Sequence, residues 1–328
     1  MNHNRATIFR IIGAVGIMAL ILDGKTALSG ARQAVELCLY TLIPTLLPFF
    51  FLSGLLTAGL MGRKISLLRP LGRLCKIPEG AEYILLTGFL GGYPLGAQCI
   101  SQGCQDGSLS PQDGRRMLAF CNNCGPAFIF GICSVLFSSP LIPWMVFFIH
   151  ILSAILVAMI LPGNPHPCIV RPHSTTSPMQ ALHHALRSMA MVCGWVILFR
   201  VVLAFGERWC FWLLPREVQV LISGFLELSN GCMQLVHLDN QQLRLIFSVC
   251  FLSFGGLCVT MQTYSAAANI DRTLYFPGKI MQLLLSLSLA CLLVNPIWAV
   301  LPGVLAILVG IFLRKWEIRC RNTQKLVV

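Results

Sequence analysis

Residues 85–98 read LLTGFLGGYPLGAQ, and the fold turns on how this stretch is understood. It is apolar enough to lie at membrane depth, yet it carries Gly88, Gly91, Gly92, Pro94 and Gly96, each of which weakens or breaks the helical hydrogen-bond ladder. A continuous lipid-facing helix does not accumulate so many. Interrupted backbone at membrane depth survives only against protein or around a water-filled cavity, so the expected form is a re-entrant or broken helix beside something wet. Residues 221–234, LISGFLELSNGCMQ, are interrupted in the same way by Gly224, Glu227, Ser229, Asn230 and Gly231.

The rest of the chain supplies the membrane. It has 328 residues, 56% hydrophobic and 11% charged, with a mean hydropathy of +0.76, whereas a soluble domain carries about 25% charged residues. A soluble single-domain enzyme is excluded. Apolar runs recur at 8–22, 37–60, 83–100, 118–137, 141–161, 186–205, 218–236, 244–263, 279–294 and 297–313, against the roughly 20 residues that cross about 30 Å of hydrocarbon. Counting 83–100 and 218–236 as re-entrant, the expectation is an all-α polytopic membrane protein with about eight transmembrane helices and two re-entrant hairpins.

The net charge of +12 would suit nucleic acid, but the Lys and Arg flank apolar runs, which marks them as orientation signals rather than a nucleic-acid face. With the N-terminus and both hairpins arranged this way, the inner side collects Arg5, Arg10, Arg63, Lys64, Arg69, Arg73, Lys76, Arg115, Arg116, Arg171, Arg187, Arg272, Lys279 and the tail cations Arg314, Lys315, Arg319, Arg321 and Lys325. The outer side keeps Lys25, Arg32, Arg208 and Arg216, and the asymmetry shrinks if both interrupted segments cross fully. Arg5 and Arg10 before IIGAVGIMALIL, with Ala27 and Ser29 at small-residue spacing, also fit a cleaved signal peptide; the many spans that follow favour an uncleaved first one.

Gly88-Phe89-Leu90 recurs as Gly224-Phe225-Leu226, each followed by breakers and then a small-residue helix, FCNNCGPAFIFG at 120–131 and FLSFGGLCVTMQ at 251–262. This sets Gly125 opposite Gly255 and Asn123 near Ser253. The first unit enters from the inside and the second from the outside, an inverted pair of the kind secondary transporters use, with the site at midplane. The chain then divides into an N-terminal transmembrane anchor (1–30), a first repeat (31–161), a Pro-rich cytoplasmic linker (162–185), a second repeat (186–296), and a last span with a basic tail (297–328). The linker holds Pro162, Pro165, Pro167, Pro172 and Pro178. Its His166 and His173, with His183 and His184 beyond, have no Cys or carboxylate to complete a spaced metal set, so no metal is expected.

Twelve residues are acidic, and Glu227 alone falls at membrane depth away from a loop or span end. An intramembrane carboxyl is a functional candidate by default: it can take a coupled proton, help hold Na⁺, or serve as a neutral structural strut. Asn122 and Asn123 sit beside Gly125-Pro126, where the helix is disturbed and amides can meet a ligand, although interhelical hydrogen bonding is the alternative. Two half-helix N-termini converging at midplane suit a small anion. Arg115 and Arg116 can attract one, or simply anchor the inner side. Cys121-x-x-Cys124 without a spaced second pair is weak evidence for metal or redox chemistry. With no His-Glu-x-x-His, no deep aspartate pair and no phosphate-gripping loop, no enzymatic activity and no cofactor are expected.

GFLGGYPLGAQ, RRMLAFCNNCGPAFIFG, GFLELSNG and FLSFGGLCVTMQ, in that order and spacing, resemble the YlbJ family of sporulation integral membrane proteins over about residues 30 to 300. The resemblance implies a nucleoside-recognition Gate type of domain, a plan similar to concentrative nucleoside transporters, and a role in endospore formation in the mother-cell-derived membrane around the forespore, linked to dipicolinic acid transfer and cortex formation. It implies functional positions at Gly92, Tyr93, Pro94 and Gly96, at Asn122, Asn123 and Gly125, and at Glu227, Asn230, Gly231, Gly255 and Gly256. Cys124 departs from the pattern, where a small hydroxyl residue is expected. The implied partners are a small anionic substrate, dipicolinate, the lipid bilayer and other sporulation membrane proteins. A nucleoside transporter and a non-transporting assembly protein are the rival readings.

Overall fold

The computed structural model describes residues 3–60, 63–163, 165–166 and 177–325. Pro167, Arg171, Pro172 and His173 of the expected linker lie outside them. The described residues are mostly helical, with no strand among them.

In chain order the helices are α1 (His3–Leu22), α2 (Gly24–Leu37), α3 (Ile43–Leu60), α4 (Arg69–Leu74), α5 (Glu82–Leu86), α6 (Leu95–Gln105), α7 (Pro111–Leu118) and α8 (Pro126–Leu136). They continue as α9 (Leu141–Ile160), α10 (Pro178–Trp209), α11 (Arg216–Leu226), α12 (Leu228–Gln234), α13 (Gln241–Phe254), α14 (Gly256–Ala266), α15 (Tyr275–Val294) and α16 (Pro296–Lys325). One-turn π segments at Cys38–Leu42 and Thr87–Gly91 join α2 to α3 and extend α5. The sequence's breakers become helix starts: Pro111, Pro126, Pro178 and Pro296 each open a helix, where the missing N–H costs nothing.

Two expectations are corrected. The linker was expected to run to 185, but α10 begins at Pro178, because Ser177 and Gln180 form a reciprocal capping box around that proline. The small-residue helix of the second repeat, expected in one piece, is two: α13 gives way to α14 at Gly255, whose φ is +82°. In the first repeat the disturbance expected beside Gly125-Pro126 extends over 119–125, which are unwound between α7 and α8.

Six stretches among the described residues are long and apolar enough to cross a membrane: Gly24–Thr57, Leu141–Ile160, Pro178–Trp209, Gln241–Ala266, Tyr275–Val294 and Pro296–Trp316. Arg10–Leu22 and Pro126–Leu136 are apolar but shorter. The outside of the molecule is apolar, with Ile21 at 77%, Ile297 at 78% and Phe312 at 67% exposure, while Asn122, Asn123, His150, Glu227, Lys279 and Gln282 are all at 1% or less. This reverses the distribution of a protein that meets water. The chain is a polytopic α-helical integral membrane protein.

The two interrupted segments each double back. α5 starts beside Arg69, whose Nη1 donates to Glu82 at 2.9 Å, and α6 ends near Ser110, Asp113 and His166, which contact one another. Arg116, one turn further, donates to the carbonyls of Cys75, Lys76, Pro162 and Ala158. At the other end of the molecule Asp23 meets Trp209, Arg200 bonds Gln33 and Glu207, and Arg244 donates to the carbonyls of Leu136 and Leu238. α11 starts just after the first of these groups and α13 just after the last.

Candidate functional site

The tip of the first hairpin, Gly91 to Pro94, lies against the unwound stretch between α7 and α8. The approach is at backbone level: a Cβ built on Gly88 or on Gly96 would fall 2.0 Å from the Cys121 carbonyl oxygen, and one on Gly92 would fall 3.1 Å from the Gly125 nitrogen. Only glycine fits there. The second hairpin closes on itself and on α14 in the same manner. A Cβ on Gly231 would lie 2.1 Å from Gly224 Cα, and one on Gly256 3.1 Å from the Gly224 carbonyl. The units meet through Tyr93, whose hydroxyl would be 3.0 Å from a Cβ at Gly255.

Unwinding 119–125 frees backbone groups that must find partners in a dry setting. Asn122 ties three elements, its Oδ1 accepting from the Ala97 N–H at 3.2 Å on α6 and its Nδ2 donating to Thr263 Oγ1 at 2.8 Å on α14. His150 on α9 bridges both interruptions. Its Nε2 accepts from the Cys124 N–H at 3.2 Å, and its Nδ1 is 3.5 Å from Ser253 Oγ.

Asn123 faces α15. Its Nδ2 donates to the Phe120 carbonyl at 2.6 Å, while its Oδ1 accepts from Lys279 Nζ at 3.2 Å and from Gln282 Nε2 at 3.0 Å. Lys279 Nζ also donates to Gln282 Oε1 at 2.8 Å and to the Tyr93 hydroxyl at 3.4 Å, and lies 5.2 Å from the Tyr93 ring centre. This overturns the placing of Lys279 among the inner-side orientation charges: at 1% exposure it belongs to the centre of the molecule. Sequence reading missed Lys279, Gln282 and His150. A signal was present, since Lys279, Gln282 and Ser286 stand at i, i+3 and i+7, a polar stripe along an otherwise apolar helix, and all three are buried.

Glu227 caps α12, both carboxylate oxygens engaged, one by the Ser229 N–H at 3.0 Å and the other by the Asn230 N–H at 2.6 Å. The start of that short helix therefore already holds a carboxylate of this chain, which removes it from the pair of helix ends expected to receive an anion. Asn230 Nδ2 and Ser223 Oγ are buried without a hydrogen-bond partner. Arg116 is engaged by four carbonyls and braces the end of the molecule formed by residues 75–76 and 158–162, whereas Arg115 bonds Asp271 at 3.3 Å.

Two cavities adjoin the first hairpin tip. The deeper, about 50 Å³, is lined by Gly92, Tyr93, Cys124, Gly125, Glu227 and Gln262 among others, so it brings residues of both units together. The larger, about 400 Å³, reaches from Pro94 to the exposed surface at Gln102, Gln105, His184 and Arg187. No Asp or Glu lines it. Its size falls within the roughly 300 to 1,000 Å³ of small-molecule sites. Tyr93 and Pro94 stand between the two.

No protein-family model matches the chain, and no solved structure matches it. The chain is similar to the "Sporulation integral membrane protein YlbJ" of Bacillus subtilis (strain 168), with 24% identity over 327 residues, covering 85% of this chain and 80% of the relative. That likeness over most of the chain supports the resemblance to the YlbJ family of sporulation integral membrane proteins carried by the glycine-rich motifs.

Proposed function

We propose that the protein is a membrane transporter of a small organic anion, dipicolinate during endospore formation, working by alternating access in the membrane around the forespore. The reading takes eight spans (α1, α2–α3, α7–α8, α9, α10, α13–α14, α15 and α16) and two re-entrant hairpins of opposite orientation. In its favour, both ends of the first hairpin lie with residues 69–82, 110–116 and 158–166, and both ends of the second lie with the opposite group around Trp209, Leu136 and Arg244.

The observation that carries the function is the seam where the first hairpin tip, the unwound stretch, α14 and Glu227 line one cavity, beside a surface vestibule lined by Arg187 and, among the described residues, by no carboxylate. A cationic vestibule draws anions by its field. The tip at Tyr93 and Pro94 is the barrier between vestibule and deep cavity, and its displacement is the opening step. Glu227 carries the coupling ion: it is the one carboxylate in the deep cavity's lining, and a proton or cation taken there releases its hold on α12.

The test is uptake into liposomes by the purified full-length chain, with labelled dipicolinate and a labelled nucleoside run in parallel. The expected result is dipicolinate uptake that Glu227→Gln brings to background and that responds to an imposed proton or Na⁺ gradient. Uptake of neither compound by folded protein favours an assembly role in the sporulation membrane. Uptake of the nucleoside alone moves the cargo.

A further inference from the structure

Lys279 is a buried amine whose partners are all neutral. Nζ reaches Gln282 Oε1, Asn123 Oδ1 and the Tyr93 hydroxyl, and it lies over the Tyr93 ring. Among the described residues no carboxylate lies within 4.0 Å of it, although Arg69, Arg115 and Arg200 each have one. Removing a cation from water costs several kcal/mol, and the cost is recovered only by an opposite charge with good geometry. Charged side chains inside membrane segments mark substrate or ion paths for this reason. A lysine kept for anchoring would sit at the helix end with its amine in water; this one is four residues into α15 and at 1% exposure.

Its most distant partner is the one at the hairpin tip. The bond to Tyr93 is the longest of the three at 3.4 Å, and Tyr93 is the tip residue that lines the deep cavity while its neighbour Pro94 lines the vestibule. Withdrawal of the tip would expose Nζ toward the vestibule with Asn123 and Gln282 still holding it from behind. We infer that Lys279 is the counter-ion for a substrate carboxylate, which takes the place of the Tyr93 hydroxyl, and that Asn123 and Gln282 orient the amine for it. The inference rests on the transport reading and names the residue that makes it selective for anions. Glu227 has the complementary duty on the other side of Tyr93, which separates the two charges.

The test supplies Lys279 with a counter-ion of its own. Asn123→Asp and, separately, Gln282→Glu each put a carboxylate on an atom already bonded to Nζ, where a salt bridge satisfies the amine, although each also removes an amide donor, to the Phe120 carbonyl in the first and to Asn123 Oδ1 in the second. Binding of pyridine-2,6-dicarboxylate to the purified full-length chain is measured by equilibrium dialysis beside its neutral diamide, with melting temperature as the check on folding. The expected result is dicarboxylate binding in wild type, no binding of the diamide, and at least about a tenfold loss of dicarboxylate affinity in either acidic variant while a cooperative melting transition shows that the variant is folded. Lys279→Met is expected to lose affinity as well, and Lys279→Arg to retain part of it. Wild-type binding of the dicarboxylate that both acidic variants and Lys279→Met leave within about twofold overturns the role of Lys279 and leaves transport standing. Equal binding of the diamide overturns it too. A folded wild-type chain that neither binds nor transports the dicarboxylate overturns both readings.

Discussion

The two interruptions at the centre of the molecule solve the same problem by different means. In the first unit the chain unwinds from 119 to 125, and the stretch is held by hydrogen bonds to four other helices: the Ala97 N–H and the Thr263 hydroxyl on Asn122, His150 on the Cys124 N–H, and Lys279 with Gln282 on Asn123. In the second unit α13 passes into α14 through Gly255 and Gly256, both at positive φ, and the carbonyls of 224 to 226 crowd Gly256. One crossing is wired by polar side chains; the other is packed glycine against backbone. A wired crossing has directional partners that a ligand or proton can replace, whereas a packed one makes a hinge. On the proposed transport reading, this difference places recognition in the first unit and the coupling ion, at Glu227, in the second.

Substitutions at the glycines separate the two most sharply. Gly88→Ala and Gly96→Ala each put a Cβ 2.0 Å from the Cys121 carbonyl, and neither backbone can yield, so a loss of about 4 kcal/mol or more is expected, read as failure to recover monodisperse folded protein. Gly256→Ala is milder, with its nearest atom at 3.1 Å and φ of +78°, and about 1 to 2 kcal/mol is expected from the left-handed backbone. A tolerated Gly96→Ala would break the close approach on which the first crossing depends.

Asn122→Leu comes next. It leaves the Ala97 N–H without its partner in a dry interior, for about 1 to 3 kcal/mol, while Thr263 keeps Val259 and Tyr275; the loss is read as a lower melting temperature in detergent. Ser253→Ala, in the second crossing, removes only the 3.5 Å contact to His150 and should cost under about 1 kcal/mol. Equal costs would erase the contrast.

The smallest effect is outside the membrane. Lys64 lies 2.9 Å from Glu79 and Arg69 3.7 Å from it, and their charges hold the Glu79 carboxyl below its ordinary range. A carboxyl depressed in the folded state adds stability above its unfolded value and loses it as pH falls through the folded value. Both ends are well exposed, so Lys64→Ala should leave the melting curve nearly unmoved, while NMR titration shows the Glu79 midpoint rising.

The hairpins were legible because glycine and proline in an apolar run contradict a spanning helix, and the proline positions marked helix starts. The candidate residues Tyr93, Asn123 and Glu227 were legible as polar or aromatic groups at those breaks. Lys279 was not, because a lysine a few residues after Arg272 and next to Pro277-Gly278 reads as the basic edge of a span. Its burial depends on Gly278, where a Cβ would come within 2.6 Å of Ala119: that contact draws the start of α15 against the unwound stretch, and no local pattern reports it. Helix α10 was read too short for a related reason, since the capping box at Ser177 acts on four residues that look like linker.

The central claim is that the two hairpins enter from opposite faces, and accessibility of single cysteines tests it most directly. In a cysteine-free background, cysteines are placed one at a time at the exposed ends of the first hairpin, Glu79 and Gln105, and of the second, Arg216 and Asp239. Each is then probed with a membrane-impermeant maleimide in sealed vesicles of known orientation. The account predicts that 79 and 105 react from one side and 216 and 239 from the other. Reaction of 79 and 105 from opposite sides, or of 216 and 239 from opposite sides, would make that segment a full crossing and contradict it.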